Sequence, residues 1–104
     1  MKLTTPHTSE EFDATLAEAE RLLLSLDRES TEWEDIITQL AIFAGSFNHV
    51  ITRAHRDRIH AVLASIGEDA IGPVLEALFH VHRTEQIDLT KRFIKDLIRK
   101  EQNR

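Results

Sequence analysis

The sequence contains no cysteine. Disulfides, thiolate nucleophiles and cysteine-ligated zinc are therefore excluded, and the redox compartment is left open. Turn-forming residues are scarce, with three glycines and two prolines, and tyrosine is absent. Sheets joined by many tight turns need more of these residues, so the shortage favours helices. No apolar run approaches the roughly 18 residues of a membrane span. The opening MKLTTPHTSEEF lacks the apolar core of a secretory signal. A cytoplasmic chain that does not contact a membrane is the expectation. Gly-rich phosphate loops and the G-x-S-x-G nucleophile elbow are missing as well.

What remains is a chain of 104 residues, 41% apolar and 30% charged, a balance that suits one globular domain rather than a disordered segment. The net charge of -5 is uneven. Residues 1–37 hold ten acids against Lys2, Arg21 and Arg28, a balance of -7. Residues 38–67 carry +2, from Arg53, Arg56 and Arg58 against Asp57, and residues 68–104 hold seven charges of each sign. An acidic first third argues against wrapping nucleic acid with the whole surface and suits either a basic protein partner or plain solubility.

Helical periodicity runs the length of the chain. Thr8-x-x-Glu11 forms a capping box, and Phe12, Leu16, Ala19, Leu23 and Leu26 then recur every three or four residues, predicting a first helix over 9–27. Leu24 falls off that stripe. A second box, Thr31-x-x-Glu34, precedes Trp33, Ile36, Ile37, Leu40, Phe43, Ala44 and Phe47, the most apolar segment and the expected central helix. Gly45-Ser46 should break it, with a third helix over 47–66 ending at Gly67. Asp69 is the expected cap of a fourth helix with Ile71, Val74, Leu75, Leu78, Phe79 and His82 on its apolar face. Thr84 should cap a fifth that buries Ile87, Phe93, Ile94, Leu97 and Ile98. Short links between these segments predict an all-α fold, a compact antiparallel bundle of about five helices in a single domain over 1–104.

Residues 58–78 read RIHAVLASIGEDAIGPVLEAL. The Ala/Leu-rich helix, the Gly67/Asp69 turn, Ala70-Ile71, Pro73 and the second apolar helix resemble one unit of the HEAT-like helical repeats. The resemblance covers about a fifth of the chain. It implies a helical hairpin with two facing apolar stripes, a HEAT-like second half, and a protein-binding role rather than catalysis. Gly72 before Pro73 departs from the pattern, and no second copy follows at a steady period of about 30–45 residues.

The histidines fall at 7, 49, 55, 60, 80 and 82. No two are three or four apart, the spacing that puts paired ligands on one helical face, so no metal and no cofactor is expected. Glu76 and His80 share a face and read as a local surface contact. The pairs Glu10-Glu11 and Glu34-Asp35 sit at helix starts, where capping and the helix dipole explain them. With 100° per residue, His49, Arg53, Arg56 and His60 fall within an arc of about 60°. They form a candidate partner-binding stripe, while His55 faces the core among Ile51, Ile59, Val62 and Ile66. Two arginines are few for nucleic acid, whereas arginine is favoured in protein interfaces.

These features point to a small non-catalytic protein-binding domain, an adaptor, inhibitor or immunity-type protein that occludes a partner surface. The competing readings are a nucleic-acid-binding module and a histidine phosphotransfer domain. The second rests on Ala54-His55-Arg56-Asp57-Arg58-Ile59, in which Ile59 stands where the small residue of the Ala-His-x-x-Lys-Gly motif would let an aspartate approach. A second copy of the chain is a further candidate partner, with Leu24 and the Phe43/Phe47 edge as its surface.

Overall fold

The computed structural model describes residues 3, 5–46, 49–81 and 83–103. Helices α1 (Ser9–Ser25), α2 (Thr31–Ala44), α3 (Arg53–Ile66), α4 (Ile71–His80) and α5 (Thr84–Gln102) make up the fold, and no strand occurs among the described residues. A 3-10 turn, Gly67–Ala70, joins α3 to α4 with no intervening coil. The chain therefore also reads as four helical stretches, the third bent at Gly67. That glycine has φ +82, a backbone conformation side chains rarely adopt, and it bends the path without ending the run. No described helix is long and apolar enough to cross a membrane.

Local chemistry sets the helix ends. The Thr8 hydroxyl accepts from the Glu11 amide, while the Glu11 carboxylate accepts from the His7 amide instead of closing the box on Thr8. At α2 the cap is Ser30, one residue earlier than expected, which accepts from the Trp33 amide. The break at Gly45 is present, and α2 stops at Ala44. The expected caps Asp69 and Thr84 are not used. Asp69 lies in the 3-10 turn and accepts from Arg28 at 2.9 Å, and Thr84 is the first residue of α5, which has no side-chain cap.

The third helix starts at Arg53 rather than at 47; positions 47 and 48 lie outside the described residues. Val50 and Ile51 are buried in non-helical backbone, and Ser9 Oγ donates to the Val50 carbonyl at 2.9 Å. Thr52 then opens α3 with a capping box in which the His55 ring takes the place usually held by Glu or Gln.

Helix α2 is in contact with every other helix, which makes it the central element. Its Trp33, Ile36, Ile37, Leu40 and Ala41 are buried, and Trp33 Nε1 donates to the Leu23 carbonyl at 3.2 Å, satisfying the indole within the core. Phe12 of α1 meets Phe43 edge-on at 5.3 Å, so Phe43 is half-buried in the core rather than a free edge; Phe47 lies outside the described residues. The expected hairpin of facing stripes over 58–78 is not how α3 and α4 pack. Each meets the turn between them, and each lies on α2 and α5 rather than along the other.

Helices α4 and α5 depart most from expectation. Val74 and Ala77 of α4 are buried together with Pro73, but Leu75 and Phe79 are exposed, and His82 lies outside the described residues. The inward face of α5 is Gln86, Leu89, Thr90 and Phe93. Ile94 and Leu97 are half-buried, while Ile87 and Ile98 face solvent. Apolar residues occupy more of the circumference of α4 than α2 and α5 can cover. The excess is left at the surface.

Candidate functional site

The helical stripe expected from His49, Arg53, Arg56 and His60 is only partly assembled. His49 is exposed in the turn before α3, so helical spacing does not relate it to the others. Arg53 is the first residue of α3, exposed, and without an ion-pair partner among the described residues. Arg56 is half-buried and turned back onto the polypeptide. Its Nε donates to the Ala44 carbonyl at 3.3 Å, Nη1 to Ile51 at 3.0 Å and Nη2 to Ser46 at 2.6 Å. A cation in the first turn of α3 faces the positive end of that helix dipole; pointing the guanidinium at the carbonyl end of α2 relieves this. Arg56 thus acts as a clamp on the α2–α3 connection.

His60 is half-buried between α3 and α5, and its Nδ1 has no hydrogen-bond partner. Burial pushes its pKa below the ordinary histidine value; the charge of Arg92 adds to this, and Asp57 and Asp96 oppose it. The folded state therefore binds fewer protons at His60 than the unfolded state does. The stability this confers is complete above about pH 6.5 and falls as pH drops through and below that value. Urea unfolding of the His60→Leu variant between pH 5 and 8 should show a shallower acid-side loss than the native chain. Identical slopes would mean that His60 is not the source.

His55 is 6% exposed and packs against Phe12 with ring centroids 4.8 Å apart. Its Nδ1 accepts from the Thr52 amide at 3.1 Å, so the ring proton belongs on Nε2, which faces Asp13 Oδ1 at 2.6 Å. With both nitrogens engaged and the side chain buried, the ring offers nothing to a phosphodonor. What it does instead is tie α1 to the start of α3. Asp13 is the partner that sequence inspection missed, because it lies 42 residues away and no local pattern links the two.

Elsewhere several charged groups pair locally or across helices. Arg58 bonds Glu20 at 2.7 Å, and Glu76 meets His80 at 3.3 Å on the α4 surface, as its spacing suggested. Among the described residues, no group of three His, Cys, Asp or Glu could hold a metal.

The least expected surface lies on α4 and α5. Leu75 and Phe79 are exposed on α4, Phe79 at 72%, with Ile87 and Ile98 exposed on α5. At one end the short 81–83 link brings Phe79 close in sequence to Ile87. At the other, Ile71, Ile94, Leu97 and Ile98 line an open groove of about 790 Å³ between the 3-10 turn and the end of α5. Single exposed apolar residues are ordinary, but a line of them along two adjacent helices marks a surface that excludes water when covered. Leu24, 91% exposed, stands apart on α1. The chain matches no family model, no curated protein and no solved structure.

Proposed function

We propose that the chain is a small non-catalytic protein-binding domain, an adaptor, inhibitor or immunity-type protein that works by covering a partner surface. The observation that carries this reading is the apolar strip Leu75, Phe79, Ile87 and Ile98 along α4 and α5. Desolvating an exposed phenylalanine contributes more to association than a rim charge does. Arg53 supplies a separate cationic contact at the start of α3 beside the exposed His49, with Arg56 and His60 set behind them. The acidic surface of α1 and α2 would favour a basic partner.

Capture from host extract on the immobilised full-length chain tests this. Retention of a host protein should be lost with Phe79→Asp and reduced with Arg53→Glu, and neither change should lower the melting temperature by more than a few degrees. Equal retention by the native chain and both variants, or no retention above a matched control column, would reject the reading.

A further inference from the structure

We infer that the arm preceding α1 is a strap over a peptide-docking seat on α2, and that the open seat takes an extended segment carrying a leucine-like side chain. Unlike the α4–α5 strip, this surface has an occupant in place. Leu3 lies outside any helix, yet it is 7% exposed and belongs to the core. Its backbone N–H donates to Gln39 Oε1 on α2 at 2.6 Å, across 36 residues of sequence. Pro6 is buried as well, while Thr5, His7 and Thr8 are exposed. Gln39 is half-buried, and helical spacing places Ile42 and Phe43, also half-buried, one turn further along α2. The seat therefore reads two features together, an apolar side chain and the amide of the same residue. An extended peptide segment presents both at once.

The arm is held at its ends and not between them. At the near end His7 N–H donates to the Glu11 carboxylate and Thr8 caps α1. Those bonds belong to the start of α1 and persist when the seat is empty. Among the described residues, no backbone group from Leu3 to His7 takes part in a backbone-to-backbone hydrogen bond. Burying one leucine offsets the ordering of about two residues of chain, and the arm is longer than that. Pro6 recovers part of the difference, because its φ is fixed before docking. Closure of the strap is thus close to balance, whereas the helices are held by the whole core. A competing segment displaces only this weakly held arm, and its affinity is reduced by the fraction of chains that are closed. The inference adds a second surface to the protein-binding reading and does not draw on the α4–α5 strip.

Nuclear magnetic resonance of the full-length chain tests it. Leu3→Asp puts a carboxylate where the leucine was buried, so the strap should open. The Gln39 side-chain amide and Ile42 methyl resonances should then shift, with an unchanged helical circular dichroism spectrum. A synthetic peptide of residues 1–8, MKLTTPHT, added to this variant should move the same resonances back toward their native positions. One leucine anchor gives weak association, so the peptide is used at millimolar concentration. The same peptide carrying Leu3→Asp should have no effect. Loss of helical signal in the Leu3→Asp chain would overturn the inference, because strap and fold would then be one unit. So would Gln39 resonances indifferent to Leu3→Asp, or a peptide that fails to restore them. Each of these failures would leave Phe79-dependent retention of a host protein, and the reading built on it, intact.

Discussion

Replacing Arg56 with methionine is expected to lower the free energy of unfolding by about 2–4 kcal/mol, because three hydrogen bonds from one charged group are lost together. The Ala44, Ser46 and Ile51 carbonyls that receive them lie on either side of the α2–α3 connection. Methionine keeps much of the apolar stem, so the packing loss is small and the change reports mainly on the bonds. Water can reach a half-buried site and recover part of the deficit, which holds the expected figure well below three full charged hydrogen bonds. Lysine should rescue only a minor fraction: its ammonium is a compact point charge and cannot fork to carbonyls on three sides. Urea unfolding monitored by circular dichroism gives the number. A methionine variant within about 0.5 kcal/mol of the native chain, the range of an ordinary surface change, would show that the clamp contributes nothing.

Gly45→Ala should destabilise by about 2–3 kcal/mol through overpacking. A Cβ at this position would overlap the Gln86 carboxamide and come within 3.1 Å of Gln86 Cα. A flexible surface glutamine would swing aside, but Gln86 is 0% exposed and has little room to yield. Its Oε1 and Nε2 are also without hydrogen-bond partners, so the amide already occupies an unfavourable place and the added methyl tightens it. The backbone itself would accept alanine, since Gly45 has φ -92; the cost is purely steric. Truncation at the other side of the contact separates these effects. In a double-mutant cycle with Gln86→Ala, the alanine at 45 should recover more than about 1 kcal/mol. Simple additivity of the two changes would show that Gln86 does not limit residue 45.

These positions also mark where the sequence is legible and where it is not. The apolar spacing of Phe12, Leu16 and Ala19 and of Trp33, Ile36, Ile37, Leu40 and Ala44 reports burial directly, because both helices lie against neighbours along those faces; toward the end of α1 the inward place goes to Leu22, and Leu23 and Leu26 are half-buried. The Gly45 break and the Gly67 turn are equally plain, since glycine weakens a helix whatever surrounds it. The start of α3 at Arg53 is masked in the sequence, since Val50 and Ile51 continue the apolar periodicity and a histidine at the third position of a capping box is not the usual Glu or Gln signal. Arg56 looked like an outward cation for the same reason: its acceptors exist only once the 44–51 backbone has turned. Composition identified Leu75, Phe79, Ile87 and Ile98 as able to be buried. Which of them a neighbour reaches depends on how α4 and α5 sit on α2, and periodicity within a single helix carries no information about that. The buried glutamine at 86 contradicts the pattern outright, and no residue near it in sequence announces it.

The central place of α2 has a consequence for how the molecule comes apart. Because α1, α3, α4 and α5 all rest on it, no helix can leave without baring part of the most apolar segment in the chain. Local opening is then expected to be nearly as costly as global unfolding for the amides of α2, whereas the exposed last turn of α5 is where exchange with solvent should begin. A domain built in this way loses its structure as one cooperative unit rather than in stages.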